Sequence, residues 1–298
     1  MKRFLLWFRI VRPQTLFASL CPVLVGLMVA RKSIGYVGLH GNTAAVLTLL
    51  CALSLQILSN LINDYYDFRR GTDKRGRVGF KRALAEGQVT EGEMRTACYI
   101  TLVIAVVLGA VLSYIGGWVI LCIGLTAILF AWLYTATDHS LSYLGIADIF
   151  VFLYYGVIAT AGTTYLQYKA VGMTLTLSTL NSQLSTSLYA GSVCGLISMC
   201  VLAVNNIRDI DGDREAGKKT FPVRFGKPAA LVGFGIIVVL MPLFAWLAFG
   251  LSWAVAVFVP AGWLYYKVLR AKGAGYNQCL MLAGVVNLVY VLLVWLTL

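Results

Sequence analysis

The sequence predicts an all-α integral membrane protein, and three observations carry that prediction. Hydrophobic residues make up 60% of the chain and charged residues 12%, with a mean hydropathy of +0.82, which leaves too little polar surface to coat a water-soluble globule. Nine apolar stretches approach the roughly 20 residues that a helix needs to cross about 30 Å of hydrocarbon. The Lys and Arg residues gather at one side of those stretches, as they do in the cytoplasmic loops of membrane proteins.

Taken in order, the opening segment MKRFLLWFRIVRPQTL has basic residues before an apolar run but no small-residue cleavage signature. It reads as a retained amphipathic helix ending near Pro13. Spans are expected near 14–30, 43–62, 96–115, 117–135, 146–168, 186–205, 229–249, 251–268 and 277–297. Pro22, Pro242 and Pro260 fall within spans, where a proline kinks a helix whose freed carbonyls find partners on neighbours. No stretch resembles a soluble domain or a low-complexity linker, so 1–298 is expected to form a single transmembrane domain, with motif loops at about 60–95 and 205–228.

With the N-terminus in the cytoplasm, every Lys and Arg except Arg31, Lys32 and Lys169 lies on the inside, and nine crossings put the C-terminus outside. The +12 net charge therefore borders membrane spans and has no soluble basic domain to sit on, which argues against nucleic acid as a partner. The seven cysteines lie in or at the edge of apolar segments without a CxxC pair, and read as small core residues.

Carboxylates are placed objects in such a chain. All twelve acidic residues except Asp138 and Asp148 fall in two stretches, Asp64 to Glu93 and Asp209 to Glu215. The stretches follow the second and sixth spans, a separation of four helices, which suggests two similarly built four-helix halves plus a ninth helix. Both halves begin on the same side, so the repeat is parallel and both acidic helix ends face the cytoplasm.

In the first stretch Asn60, Asn63, Asp64 and Asp67 are spaced i, i+3, i+4 and i+7, one stripe of a helix. In the second, Asn205, Asp209 and Asp213 recur at i, i+4 and i+8, again one stripe, whereas Asp211 lies about 200° around from Asp209. Carboxylates converging at a helix end repel one another unless cations neutralise them. Hard oxygen ligands of this kind suit Mg²⁺, which keeps waters and bridges one or two carboxylates to substrate phosphates. Arg208, Arg214, Lys218 and Lys219, with Arg69, Arg70 and Lys74 in the first stretch, attract phosphate oxygens to the same place. Carboxylates, metal and basic residues together describe a diphosphate site. A divalent-cation transporter is the alternative from another class, but it calls for acids at mid-span, and these lie at or beyond helix ends.

At these residues the chain resembles the UbiA superfamily of intramembrane aromatic prenyltransferases, whose hallmark is two Asp-rich motifs after helices 2 and 6. Within it the chain is similar to the branch acting on 1,4-dihydroxy-2-naphthoate, through Arg12-Pro13-Gln14-Thr15, Asn63-Asp64-Tyr65-Tyr66-Asp67 with Gly71 and Asp73, Tyr134-Thr135, and Asn205-Asn206-Ile207-Arg208-Asp209 to Thr220. The 4-hydroxybenzoate branch would place an acid at position 71; here that position is Gly71 and the third acid is Asp73. Asp148 stands where the naphthoate branch has Glu.

The resemblance implies Mg²⁺ held by Asn63, Asp67, Asp73, Asp209 and Asp213, with Asp67, Asp209, Arg208 and Lys218 as catalytic residues. It implies substrate and diphosphate contacts from Asn60, Asn63, Asp64, Tyr65, Lys74, Asn205, Arg214, Lys219, Tyr134 and Asp148. The implied reaction moves a polyprenyl group from polyprenyl diphosphate to 1,4-dihydroxy-2-naphthoate with loss of diphosphate and CO₂, giving demethylmenaquinone. Another acceptor, such as 4-hydroxybenzoate, is the alternative within the superfamily. A membrane-embedded cavity would shield the allylic cation, with Tyr65, Tyr66, Tyr134, Tyr154 and Tyr155 as aromatic candidates and His139 as a loop residue on the same side. The resemblance places the protein in the bacterial inner membrane, embedded in lipid, with its active site facing the cytoplasm.

Overall fold

A computed structural model describes residues 2–71, 82–137, 140–173, 182 and 184–298. Asp73, Lys74, Asp138 and His139 lie outside the described residues. Among the described residues there is no β-strand.

The chain opens with α1 (Lys2–Ile10), which packs Leu6, Trp7 and Ile10 inward and leaves Phe4, Leu5 and Phe8 exposed. Arg12, the only non-glycine with positive φ among the described residues, turns the chain into α2 (Pro13–Ile34), whose first residue is a proline, a position where the missing N–H costs nothing. Next comes α3 (Gly38–Arg69), 32 residues long. At 1.5 Å per residue it extends about 48 Å, well past an apolar layer of about 30 Å. That overshoot carries the first acidic stretch out of the hydrocarbon as a rigid helical extension.

A capping box of Thr90 and Glu93 starts α4 (Glu91–Gly116), and Gly117 at φ 72° turns the chain directly into α5 (Trp118–Leu133). The short α6 (Leu141–Leu144) precedes α7 (Ala147–Ala170), which contains a wide π turn at Leu153–Val157. The second acidic stretch follows α8 (Ser185–Arg208) and continues into α9 (Ile210–Glu215). Helix α10 (Phe221–Phe249) breaks its helical geometry at Gly226, a 3₁₀ turn at Trp253–Val257 leads into α11 (Phe258–Arg270), and α12 (Gly275–Thr297) completes the fold.

Among the described residues seven helices are long and apolar enough to cross a membrane: α2, α3, α4, α7, α8, α10 and α12. The stretches expected at 117–135 and 251–268 are shorter helices. Here α5 has 16 residues, about 24 Å of rise. The later stretch divides into the 3₁₀ turn and the 13 residues of α11.

Helix α8 is the axis of the bundle and packs against α2, α7, α10 and α12. Its Gly191 and Gly195 form a GxxxG face against Gly156 of α7, where an added Cβ on Gly156 would stand 2.4 Å from Gly195 N and 2.5 Å from Gly191 O. Small residues at that spacing let backbones touch, which is how helices associate where lipid removes the hydrophobic incentive. The main core gathers Val25, Cys194, Ile197, Phe234, Met241, Leu264 and Tyr290, with the Tyr290 hydroxyl donating to Ala190 O at 3.2 Å. Outward-facing Val103, Val107, Leu125, Ile149, Val239 and Leu292 are exposed, as side chains that meet lipid are.

Gly156→Leu should therefore separate α7 from α8, costing on the order of 1–3 kcal/mol, and lower the thermal midpoint in detergent. An unchanged midpoint would mean that this crossing is not close-packed.

Candidate active site

A cavity of about 330 Å³ runs inside the bundle and is lined along most of its length by apolar side chains, among them Val23, Leu55, Leu112, Ile123, Ile158 and Leu202. Asn63 from the first acidic stretch and Asn205 from the second both line it. Tyr134, just past α5, also borders it, next to Thr135, whose hydroxyl accepts a hydrogen bond from Asn63. Parts of the sequence separated by four helices therefore meet at one cavity.

The aromatic wall is built by α5 and α7. Phe130 sits 4.5 Å from Phe150 and 5.0 Å from Tyr154 between ring centroids, and Tyr155, bonded to Ser59, lines the same cavity. Consecutive residues on a regular helix point 100° apart. The π turn inserts one extra residue here, and both Tyr154 and Tyr155 border the cavity, a role in which such bulges recur.

In the first stretch Asn63 Nδ2 donates to Thr135 Oγ1 at 3.2 Å, while Asn63 Oδ1 is buried and accepts no hydrogen bond. Asp67 is buried beside it. An amide oxygen without a donor, next to a buried carboxylate, has the chemistry that hard cations take up. Among the described residues no three Asp, Glu, His or Cys side chains form a metal cage. The residues present fit Mg²⁺ on those grounds.

In the second stretch the helix pauses at Asp209 but keeps its hydrogen bonds from Asp209 N to Asn205 O (3.0 Å) and from Asp213 N to Asp209 O (2.8 Å). Arg208, nearly buried, grips Asp209 with two 2.7 Å bonds and donates a third to Asn277 Oδ1 at 2.9 Å. Lys218 stands 3.6 Å from Asp213. Asp211 and Arg214 pair with each other at 3.2 Å out in solvent, so Arg214 is not brought to the cavity, and Lys219 is exposed.

Two further expected contacts, Asp64 and Tyr65, face elsewhere, and a third, Asn60, is shared between the cavity and a structural role. The side chain of Asp64 is 4% exposed and ion-paired with Arg12 and, at 2.5 Å, with Arg82, beside a second cavity of about 320 Å³. Tyr65 turns toward α4, donating to Glu91 at 3.1 Å. Asn60 borders the main cavity, yet its Nδ2 donates to Val11 O and Thr15 Oγ1 at 3.1 and 3.0 Å, pinning the α1–α2 junction to α3. Asp148 lies half-buried in the first turn of α7.

Two residues at the site carried no sequence signal. Tyr143 of α6 lies with its ring 5.0 Å from the Arg70 guanidinium and 5.5 Å from Lys218 Nζ, partners far from it in the chain. Asn277, at the start of α12, is found through its bond to Arg208.

The sequence matches the UbiA prenyltransferase family over residues 19–295. One relative is the 1,4-dihydroxy-2-naphthoate octaprenyltransferase of Escherichia coli, 34% identical over 229 residues, or 74% of this chain and 68% of that protein. Another is the protein of the same name from Haemophilus influenzae, 30% identical over 288 residues, or 92% and 86%. Among solved structures, a UbiA homolog from Archaeoglobus fulgidus bound to DMAPP and Mg²⁺ superposes with a TM-score of 0.64 at 18% identity, covering 97% of both chains. A UbiA homolog from Aeropyrum pernix K1 gives 0.66 at 15% identity, covering 95% and 96%. At such identities the structural likeness speaks for the fold.

Removing a buried partner from an ion pair strands the charge left behind, at about 3–5 kcal/mol. Asp64→Asn should therefore lower the thermal midpoint sharply, while Asp211→Asn, at a solvent-exposed pair, leaves it in place. Equal midpoints for the two variants would remove the structural role assigned to Asp64.

Proposed function

The chain belongs to the UbiA prenyltransferase family, and from that footing we propose that it transfers a polyprenyl group from polyprenyl diphosphate to 1,4-dihydroxy-2-naphthoate, releasing diphosphate and CO₂ and forming the quinol of demethylmenaquinone. One observation carries the reading: an apolar, aromatic-walled cavity is lined by Asn63 and Asn205, one from each acidic stretch, together with Tyr134. An anionic head and a greasy tail have their counterparts in that single space. The names of the relatives support the naphthoate acceptor, and Asp73 with Gly71 agrees with that branch.

In this mechanism Asn63, Asp67, Asp73, Asp209 and Asp213 would hold Mg²⁺, which when bound neutralises the diphosphate and improves it as a leaving group. Lys218 and Lys219, with Lys74 from the other stretch, attract phosphate oxygens. Arg208 acts through Asp209: its two-bonded grip holds that carboxylate in one orientation, and Asn277 holds Arg208.

Departure of diphosphate leaves an allylic cation at the end of the prenyl chain. The apolar lining excludes water, and the π faces of Phe130, Tyr134, Phe150, Tyr154 and Tyr155 stabilise positive charge passing along the wall. The ring carbon bearing the carboxylate attacks the cation. Loss of CO₂ then returns the electrons of its C–C bond to the ring, so this carbon needs no base to take a proton from it.

The same proposal makes residues 1–298 one domain with nine crossings, α5 and α11 included, and with the N-terminus and both acidic stretches on the cytoplasmic side of a bacterial inner membrane. Alkaline phosphatase fused after Leu298 should then be active and after Lys272 inactive; the reverse pattern would overturn the orientation.

Asp67→Asn and Asp209→Asn should each reduce prenyl transfer by at least about a hundredfold while the protein still inserts and purifies. The assay is mass spectrometry of lipid products from purified protein, Mg²⁺, a polyprenyl diphosphate and either 1,4-dihydroxy-2-naphthoate or 4-hydroxybenzoate, with EDTA as control. Near-normal turnover in either variant would sink the metal-diphosphate assignment, and product from 4-hydroxybenzoate alone would replace the acceptor.

A further inference from the structure

The segment between α5 and α7 touches both acidic stretches. Toward the first, Thr135 Oγ1 accepts from Asn63 at 3.2 Å, Thr135 O accepts from the Arg70 guanidinium, and the ring of Tyr143 lies 5.0 Å from that guanidinium. Toward the second, Tyr143 O accepts from Lys219 N at 2.9 Å and the same ring lies 5.5 Å from Lys218 Nζ. Leu144 O accepts from Arg224 at 2.6 Å. Gly145, at φ 71°, approaches so closely that an added Cβ would stand 1.9 Å from Lys219 O. The backbone of the segment is thus seated on the second stretch, which leaves the Tyr143 ring as the piece that reaches across.

Two cations that share one aromatic ring repel each other, and both are attracted to the negative face of the ring. Arg70 comes from the end of α3, and Lys218 follows α9 and pairs with Asp213. Each is already tied on its own side, Arg70 to Thr135 O and Lys218 to Asp213. The shared ring adds the partner common to both, lowers the side-chain entropy still to be lost when an anion arrives, and holds the two charges near enough to act on one ligand.

We propose that Tyr143 is a positioning residue that presents Arg70 and Lys218, one cation from each acidic stretch, to a single diphosphate. The inference rests on the diphosphate reading above and adds to it the group that joins the two halves of the site. What matters is the π face of the ring, not its hydroxyl.

The test is calorimetric titration of the purified full chain with inorganic diphosphate in the presence of Mg²⁺. Tyr143→Phe should bind within about twofold of the wild type, and Tyr143→Leu about tenfold more weakly. Pentafluorophenylalanine at position 143 keeps the ring shape but reverses its quadrupole, so it should weaken binding as Leu does without disturbing packing. In prenyl transfer, Tyr143→Leu should raise KM for the prenyl diphosphate while kcat changes little. Lys218→Gln should cost less affinity in the Tyr143→Leu background than alone. Fluorinated and natural rings binding alike, or Tyr143→Phe failing as badly as Tyr143→Leu, would overturn the proposal. Wild-type protein that binds no diphosphate would remove the underlying reading as well, an outcome distinct from wild-type binding that is indifferent to position 143.

Discussion

A charge in a membrane protein must be paired, solvated or kept out of the hydrocarbon, and the arrangement of this molecule follows from that constraint. The long α3 lifts its acidic end past the apolar layer, while α8 stops at Asp209 and hands over to the short α9. Buried Asp64 and Asp213 and half-buried Asp209 are met by cations: Arg12 and Arg82 at Asp64, Lys218 at Asp213 and Arg208 at Asp209. The excess of positive charge near these acids is part of what allows them to be there.

The same constraint divides labour among neighbouring carboxylates. Asp64 and Asp67 sit on one helical stripe, yet Asp64 is consumed by two arginines that tie α2 and the segment before α4 to α3. Asp67 is buried one turn beyond Asn63, which lines the cavity. One acid stiffens the helix that bears the other. A buried triad of this kind adds little net stability over apolar packing; its value lies in fixing the angle at which α3 delivers Asn63 and Asp67.

Away from the charged end, backbone shape makes the cavity. Close contact of Gly156 with Gly191 and Gly195 brings α7 against α8, and the π turn that contains Gly156 adds the residue that lets Tyr154 and Tyr155 border the same space. The aromatic wall and the tight crossing are thus adjacent features of one helix. Tight packing behind the wall is what permits open volume in front of it.

Helical class, most spans, the two acidic stretches and the exposed position of Asp211 were legible from the residues alone, because hydropathy and helical spacing are local properties that the bilayer enforces. The family was legible too, since its motifs are short and continuous. The sense in which each polar side chain turns was not. Asn60, Tyr65 and Arg214 share a motif with cavity residues, but Asn60 pins the α1–α2 junction, Tyr65 meets Glu91 and Arg214 meets Asp211. Nor could spacing single out Tyr143 or Asn277, whose partners arrive from distant segments. Local sequence settles what enters the membrane and which carboxylates cluster, because those depend on transfer free energy along one helix. Packing among helices settles which polar side chain borders the cavity and which carboxylate is spent on an arginine, because only a folded bundle determines which opposite charge is nearest.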